Sequence, residues 1–575
     1  MSNPCQVRGR NPKALFSLKL HRGDGMTLLA MNWRRRRPPL DFVGFAIEYQ
    51  EPGGTRFYAL NNRLSFAADA AKPKKLSTRL SPIQKFRWVH FPRNAELDGD
   101  FTYRATPVFM DAAGKLSYGE PQEAAIQLRR ETYPGQLNVT YTRGFVSSQA
   151  FADRYGKYPL TALLPATADQ GLEFQPGCPE KVAKGAYAWM GFEARSAVLE
   201  VLDQALGDPQ AQVRVVAYDL CEPGIVSRLE QLGTRLKIII DDSKPDHGAK
   251  TSAEAAAERR LIASAGPDHV KRQHVRKLQH NKIVVVDGPA VQAAVAGSTN
   301  FSWRGFYVQN NSAVILRGPS VVRIFTAAFE AYWNNARPEV FGATASAGWQ
   351  KLGLKGIKAA ITFSPRLAQN AVLASIAADL AQARSSLFFS LAFLYQTPGR
   401  IVDALKQIQS DAKIFCYGIS DKKVKALAAP GLALTKPSGQ MSVVYPQELT
   451  RDLAGLFKEE SSGGRGVRLH HKFLVIDFDK PTARVYVGSF NFSGAADTSN
   501  GENLLCIRDR RVATSYMIEA LRIFDHYHFR VAQKEAKAGH RPLQLARPPR
   551  APDEKPWWDE YYSDPRKALD RKLFA

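Results

Sequence analysis

The order His-x-Lys, an apolar run, Asp, and then Gly-Ser-x-Asn occurs twice in this chain, and it gathers the groups needed to bind and open a phosphate ester. The first copy is His280, Lys282, Ile283 to Val286, Asp287 and Gly297-Ser298-Thr299-Asn300; the second is His470, Lys472, Phe473 to Ile476, Asp477 and Gly488-Ser489-Phe490-Asn491. Both continue with Phe-Ser, at Phe301-Ser302 and Phe492-Ser493. An imidazole serves as nucleophile or as proton donor and acceptor, while Ser and Asn donate hydrogen bonds to phosphate oxygens. With two such sets around one phosphorus, one His attacks as the other protonates the departing oxygen, and the roles reverse when water enters. The two lysines neutralise the developing charge, so the chemistry requires no metal and no cofactor is expected. A single His-x-Lys would be an ordinary surface pair; the repeated order with matching spacing is what points to one shared phosphate site.

For these groups to meet, the elements that carry them must present one face to a common cleft. Side chains two apart on a strand share a face, so each His lies with its Lys and His471 points away from the site. The runs IVVV and FLVI read as buried central strands, and each Gly-Ser-x-Asn as the turn leaving a neighbouring strand. The duplication reaches beyond the motifs. A helix from Ala194 to Leu206, a strand from Val213 to Tyr218, a helix starting at Gly224 and a strand from Lys237 to Ile240 form the first set. A helix from Ala371 to Ala383, a strand from Leu387 to Leu394, a helix from Ile401 to Ile408 and a strand from Lys413 to Tyr417 form the second. Each Gly-Ser-x-Asn is followed by a helix, Val321 through Trp333 and Ala520 through Phe529. Strands alternating with helices predict α/β architecture, with mixed sheets covered by helices. Before the first motif, Thr251-Ser252-Ala253-Glu254 has capping-box form and opens an Ala-rich helix to about Ser264 that would border the cleft.

At these residues the chain resembles the phospholipase D superfamily, whose signature is the duplicated His-Lys-Asp motif with a trailing Gly-Ser-x-Asn. The resemblance covers about residues 180 to 535. It implies two pseudo-symmetric α/β lobes, one active site between them and a phosphohistidine intermediate, with His280 as nucleophile and His470 as general acid and then base. It also implies that Lys282, Lys472, Asn300 and Asn491, helped by Ser298 and Ser489, hold the phosphate. Asp287 and Asp477 would sit just behind, ordering the motif. Family members often carry an acid after Gly-Ser-x-Asn that hydrogen-bonds a catalytic His, and Glu502, grouped here with the substrate-side residues, holds that position in the second copy. In the first copy the equivalent residue is Asn311, which leaves open which His Glu502 serves; reduced activity and a specialised substrate both fit.

Other candidate groups read as structural. Asp241-Asp242 with His247 has poor ligand number and spacing for a metal and is expected to be a loop. His247, His526 and His528 have no partner pattern. The five cysteines, Cys5, Cys178, Cys221, Cys416 and Cys506, show neither disulfide nor metal spacing, so reduced thiols are expected.

The chain is long enough for about three to four domains. Residues 1–135 read as an all-β sandwich, because short runs such as Phe42 to Tyr49, Arg56 to Leu60, Phe86 to Phe91 and Tyr103 to Met110 alternate with turn residues. The stretch from Phe101 to Phe109, with Asp111 and Gly114, resembles the penultimate strand and turn of a fibronectin type III domain, a resemblance over about residues 13 to 131 that implies a recognition or spacer module. A linker is expected at 136–180, the first lobe at 181–345, the second at 346–539 and a Pro/Arg/aromatic tail at 540–575. That tail, with Trp557, Trp558, Tyr561 and Tyr562, is expected to wrap its own domain rather than stack bases or sit at a membrane surface. Arg34 to Arg37 reads as a solvated loop.

A formal net charge of +25 favours polyanionic partners, either nucleic acid or an anionic bilayer. Neither a signal peptide nor a transmembrane segment is recognisable, so a cytoplasmic protein is expected, leaderless export aside. Both half-sites lie in one chain, which makes an active monomer possible. Three functions fit: a phospholipase D-type enzyme hydrolysing or transferring a phospholipid head group, favoured narrowly by the resemblance; a nuclease, favoured by charge and by Lys271, Arg272, Arg276 and Lys277 near the first motif; and a catalytically weakened phosphate-binding protein, which Asn311 keeps open.

Overall fold

The computed structural model describes residues 4–575 apart from 67–75, 129–130, 145–150, 152–153, 168–169, 246, 412, 423, 425–426, 428–441, 445–468 and 540–542. Ile283 to Val286 are apolar and buried, which demands a central strand covered on both faces. Lys282–Asp287 accordingly lies in the middle of a seven-stranded sheet in the order Leu137–Tyr141, Ser312–Arg317, Gln292–Gly297, Lys282–Asp287, Gln212–Ala217, Leu236–Ile240, Val270–Arg272. Gln212–Ala217 and Leu236–Ile240 run parallel, so the chain must cross over between them. It does so through the helix Pro223–Leu232, started by Pro223 and by the Glu222 carboxylate, which accepts from the Ile225 N–H at 2.7 Å.

The second sheet follows the order Gln350–Lys351, Lys358–Ser364, Glu502–Arg508, Arg484–Gly488, Lys472–Ile476, Ser386–Leu391, Phe415–Ile419, Ser442–Val444. Its register repeats that of the first, since Lys282 pairs with Ala217 and Lys472 with Leu391. Two α/β lobes with mixed sheets therefore follow an all-β region, as the sequence predicts. One segment departs from expectation: Leu137–Tyr141, placed in the 136–180 linker, is an edge strand antiparallel to Ser312–Arg317. Lys358–Ser364 takes the same place beside Glu502–Arg508 in the second lobe. All five residues of Leu137–Tyr141 are buried, so the polar Asn138 and Thr140 mask the strand without marking a solvent face.

The helices Pro319–Asn334 and Arg510–Ala538 fill the space between the inner faces, where Phe325, Phe329 and Tyr332 join Tyr516, Met517 and Leu521 in one apolar core with Val285 and Val475. The outer face of the first sheet is covered by Glu180–Gly207, Pro223–Leu232 and Ala253–Ala265, and that of the second by Leu373–Leu380 and Arg400–Ser410. Glu180–Gly207 breaks at Phe192, which is left-handed (φ 44), so the helix expected from Ala194 is its second piece. The cap of Ala253–Ala265 lies one residue later than the capping box predicts: Ser252, not Thr251, accepts from the Ala255 N–H at 3.1 Å. That shift turns Glu254 inward, towards Leu220 and His247.

In the N-terminal region, a sheet of Gln6–Arg8, Phe16–Gly23, Met26–Trp33 and Arg87–His90 accompanies another built on Phe42–Gln50 and Asp100–Met110. Phe16, Phe42, Phe45, Phe86 and Tyr103 form its core. Trp557 and Trp558 of the tail pack there, their indole N–H groups donating to Phe42 O at 2.9 Å and Pro39 O at 3.3 Å. Farther along, Phe574 enters the core between the lobes, and its carbonyl accepts from His21 Nε2 at 2.6 Å. All five cysteines are free thiols. Among the described residues no helix is long and apolar enough to cross a membrane.

Candidate active site

The segment entering each motif strand pairs with the other lobe. Gln279 forms a parallel bridge with Gly501, and Leu469 forms one with Asn310. The Gly501 N–H donates to Leu278 O at 2.8 Å and the His470 N–H to Asn310 O at 3.1 Å. This pseudo-two-fold exchange sets His280 and His470 opposite each other, with ring centroids 6.3 Å apart at 72°.

Each imidazole is held from behind by the lobe it does not belong to. His280 Nδ1 donates to Glu502 Oε2 at 2.7 Å. His470 Nδ1 donates to Asn311 Oδ1 at 2.9 Å, with Ser298 O at 3.2 Å. The Asn311 amide cannot turn over without loss, because its Nδ2 donates to Gly305 O at 2.9 Å. Binding Nδ1 fixes the tautomer and leaves Nε2 of each ring for chemistry. Glu502, grouped with the substrate-side residues and implied by the resemblance to bond one of the two histidines, is fully buried behind His280, because Glu502–Arg508 starts at the lobe boundary where the chain pairs with Leu278 and Gln279.

Lys282 and Lys472 are buried beside their histidines, each Nζ donating to its own motif carbonyl, His280 O at 2.5 Å and His470 O at 2.9 Å. Lys282 also lies 4.5 Å from the Tyr218 ring centroid and Lys472 5.5 Å from that of Phe393, positions suited to cation–π attraction. In Gly-Ser-x-Asn, the Gly-Ser half serves strand packing. A Cβ at Gly297 would stand 2.4 Å from Ser312 O, and one at Gly488 2.1 Å from Asn503 O. The Ser298 hydroxyl accepts from the Ser312 N–H at 3.1 Å, and that of Ser489 from the Asn503 N–H at 3.0 Å. Asn300 donates from Nδ2 to Asp219 Oδ2 at 2.5 Å. Its Oδ1 and that of Asn491 are buried without a hydrogen-bond partner among the described residues.

The motif aspartates lie at the far ends of their strands from the histidines. Asp477, left-handed at φ 53, accepts from the N–H groups of Arg384 at 2.9 Å and Ser385 at 2.8 Å. Asp287 ends its strand between Gln212 and Gln292 and is partly exposed. His471 faces the opposite way from His470, its Nε2 donating to Glu519 Oε1 at 2.9 Å on the helix Arg510–Ala538.

Burial dominates the electrostatics of the site. It lowers the His280 pKa to about 4, with Glu502 opposing and Lys282 adding to the shift. His470 is held well below the usual imidazole range by burial and by Lys472, Lys282 and His280, with the Ser298 carbonyl opposing. Burial likewise brings Lys282 down to about 7 against Glu502, Asp219 and Asp241, and moves Lys472 well below an ordinary lysine. A phosphodiester anion placed among these four bases would favour their charged forms and raise all four pKa values.

Tyr218, Asp219 and Phe393 escape the sequence reading because each is a single residue at a strand end. Tyr218 packs its ring between His280 and His247, at centroid distances of 4.6 and 4.4 Å. The strand registers make Asp219 and Phe393 equivalent across the lobes, since Ala217 pairs with Lys282 and Leu391 with Lys472. The segment containing Asp241-Asp242 and His247 is a loop, yet it is tied to the site. His247 Nδ1 donates to Asp241 Oδ2 at 2.8 Å, and Nε2 lies 3.0 Å from Asp219 Oδ1 and 4.0 Å from Glu254 Oε1. Asp241 Oδ1 in turn accepts from the Gln279 N–H at 2.6 Å, bracing the approach to His280. Against burial, which lowers it, Asp219 and Asp241 raise the His247 pKa to about 10.

Residues 202–333 and 376–523 match the family described as cardiolipin synthase, PLD-like domain. A curated phospholipase D of Rickettsia felis is 48% identical over 48 residues, 8% of this chain and 22% of that protein. The phospholipase D of Rickettsia conorii is 46% identical over 48 residues, and the chain again spans 22% of its length. Among solved structures, the phosphatidylserine synthase of Haemophilus influenzae aligns with a TM-score of 0.38 at 12% identity, covering 60% of this chain and 85% of that one. Nuc, a phospholipase D family member from Salmonella typhimurium, aligns with a TM-score of 0.17 at 16% identity over 31% of this chain and 95% of its own. With a motif in each of the two matched segments, the chain belongs to the phospholipase D superfamily.

Proposed function

We propose that this protein opens a phosphodiester through a covalent phosphohistidine on His280, with a phospholipid as substrate. The observation that carries the reading is the unequal support of two facing imidazoles, a carboxylate behind His280 and an amide behind His470. When Nε2 of neutral His280 attacks phosphorus, the ring gains positive charge, and Glu502 on Nδ1 stabilises it. The bond from phosphorus to the leaving oxygen breaks as His470 gives that oxygen its Nε2 proton. Neutral His470 then takes a proton from water, the water oxygen attacks phosphorus, and the P–N bond breaks to restore His280. An alcohol in place of water would give transfer instead of hydrolysis. Asn311 suits the second role, because an amide orients the ring without trapping the proton it must release. Lys282, Lys472, Asn300 and Asn491 hold the phosphate oxygens.

A lipid is favoured by Phe393, whose ring stands 6.0 Å from that of His470 and, with Tyr218 at 4.6 Å from His280, gives each imidazole an aromatic wall. A nucleic-acid substrate is the second reading. It is favoured by the net charge of +25 and by a cavity of about 390 Å³ on the first lobe where Lys244, Lys250, Arg259 and Arg272 outnumber Asp242 and Glu258. Phosphorus NMR with mixed phospholipid vesicles, DNA and RNA, comparing wild type with His280→Ala, separates them. Turnover of vesicles alone that depends on His280 is expected; turnover of nucleic acid alone would transfer the assignment to a nuclease, and turnover that survives His280→Ala would end the mechanism.

A further inference from the structure

Beside the phosphate site, three potential ligands from separate elements converge: Asp219 after the strand Gln212–Ala217, His247 in the loop after the strand Leu236–Ile240, and Glu254 in the first turn of Ala253–Ala265. Their ligand atoms lie within 4.8 Å of one another. We propose that Asp219, His247 and Glu254 form a divalent-cation site that adjoins the phosphate clamp and takes zinc or manganese.

Geometry supports this first. Ligand atoms about 2.0 to 2.2 Å from a tetrahedral zinc stand roughly 3.3 to 3.6 Å apart, and His247 Nε2 lies 3.0 Å from Asp219 Oδ1 and 4.0 Å from Glu254 Oε1. The ring is also prepared as a ligand would be. Asp241 accepts from Nδ1 at 2.8 Å, the carboxylate–imidazole support that orients metal-bound histidines and turns Nε2 to the ion. One imidazole and two carboxylates are a ligand set that zinc and manganese share. Asp219 retains 22% side-chain exposure, against 5% for Glu254, so the ion would keep a position open to solvent.

Charge and symmetry provide two further arguments. Three acidic side chains, Asp219, Asp241 and Glu254, approach one imidazole, with Lys282 as a further cation near Asp219 and Asp241; a divalent ion in place of the Nε2 proton would add positive charge to this cluster. The phosphate grip itself does not explain the cluster, because Phe393 occupies the place of Asp219 in the second lobe although that lobe carries the same motif. An ion here would fix Asp219, which holds the Asn300 amide at 2.5 Å, and so order one phosphate-binding residue.

The full chain, treated with chelator and then freed of it, should be titrated calorimetrically with Zn²⁺ and with Mn²⁺ alone. One saturable site per chain is expected for at least one of these ions, with a higher melting temperature when it is filled. Asp219→Asn and His247→Ala should abolish saturable binding, and Asp241→Asn should weaken it by about 10- to 100-fold. An anomalous difference peak between Asp219, His247 and Glu254 in zinc-soaked crystals would locate the ion. Absence of saturable binding in the wild-type chain, or unchanged binding in Asp219→Asn with its melting curve retained, would overturn the proposal and leave His247 as an imidazolium held by carboxylates.

Discussion

The two lobes present the same strand, the same His and Lys and the same Gly-Ser-x-Asn in equal register, yet the surroundings of the two histidines differ in charge. His280 is backed by Glu502, and its neighbourhood includes Asp219; His470 is backed by Asn311 and faces Phe393. Because each backing residue comes from the opposite lobe, neither lobe is chemically complete without the other. The duplication therefore supplies two matching sets of groups, and in the proposed mechanism divergence at a few positions around them gives unequal roles to identical imidazoles. A nucleophile gains from a nearby carboxylate as its ring becomes cationic, whereas an acid that must also act as a base gains from an acceptor that leaves its proton mobile.

The sharpest way to break this comparison is to remove each imidazole in turn. His280→Ala should lower turnover by at least about 10³-fold for every substrate, measured in steady state. His470→Ala should lose as much with an alkyl leaving group but retain a burst of product from a nitrophenyl diester, whose leaving group needs no proton. A burst that survives in His280→Ala and vanishes in His470→Ala would exchange the two roles.

Glu502→Gln should reduce kcat by roughly 10²-fold or more, because the amide no longer stabilises positive charge on His280 and competes for its tautomer. Activity within threefold of wild type would show that the carboxylate is only structural. Asn311→Asp tests the other side. A carboxylate on Nδ1 favours the imidazolium, so the pKa of His470 rises and the alkaline limb of kcat/KM moves up by about 1 to 3 pH units. The acid limb, where protonation blocks His280, should stay near the pKa of about 4 set by burial. An unmoved alkaline limb would mean that His470 does not supply the proton.

The smallest effect on turnover is expected at His471. Glu519 keeps Arg522 when His471 is removed, so His471→Ala should cost about 1 to 3 kcal/mol of stability in a denaturant titration and change kcat less than threefold. A loss comparable with His470→Ala would place His471 in the cleft.

Much of this arrangement can be read from local sequence. The IVVV and FLVI runs announce central strands, and the spacing of His280 from Lys282 and of His470 from Lys472 puts each pair on one face. Leu137–Tyr141 is harder, because a strand buried at every position shows no alternation and carries Asn138 and Thr140. The destination of Glu502 is illegible for another reason. Its bond to His280 joins residues far apart in sequence and exists only because the segment at Gly501 pairs with Gln279 of the other lobe. Asp219, His247 and Glu254 likewise come together through the crossover of the first sheet, and a capping-box reading of Thr251 to Glu254 conceals the last of them, since Ser252 makes the cap.

The central claim is that the carboxylate-backed imidazole takes the phosphoryl group. The direct test is to mix enzyme with a nitrophenyl diester, quench within milliseconds in alkali, digest, and locate the acid-labile phosphate by mass spectrometry, in wild type and in His470→Ala, where it should accumulate. Phosphate on the peptide containing His280 in both is the predicted result; phosphate on His470, or none on either histidine while turnover proceeds, would contradict the account.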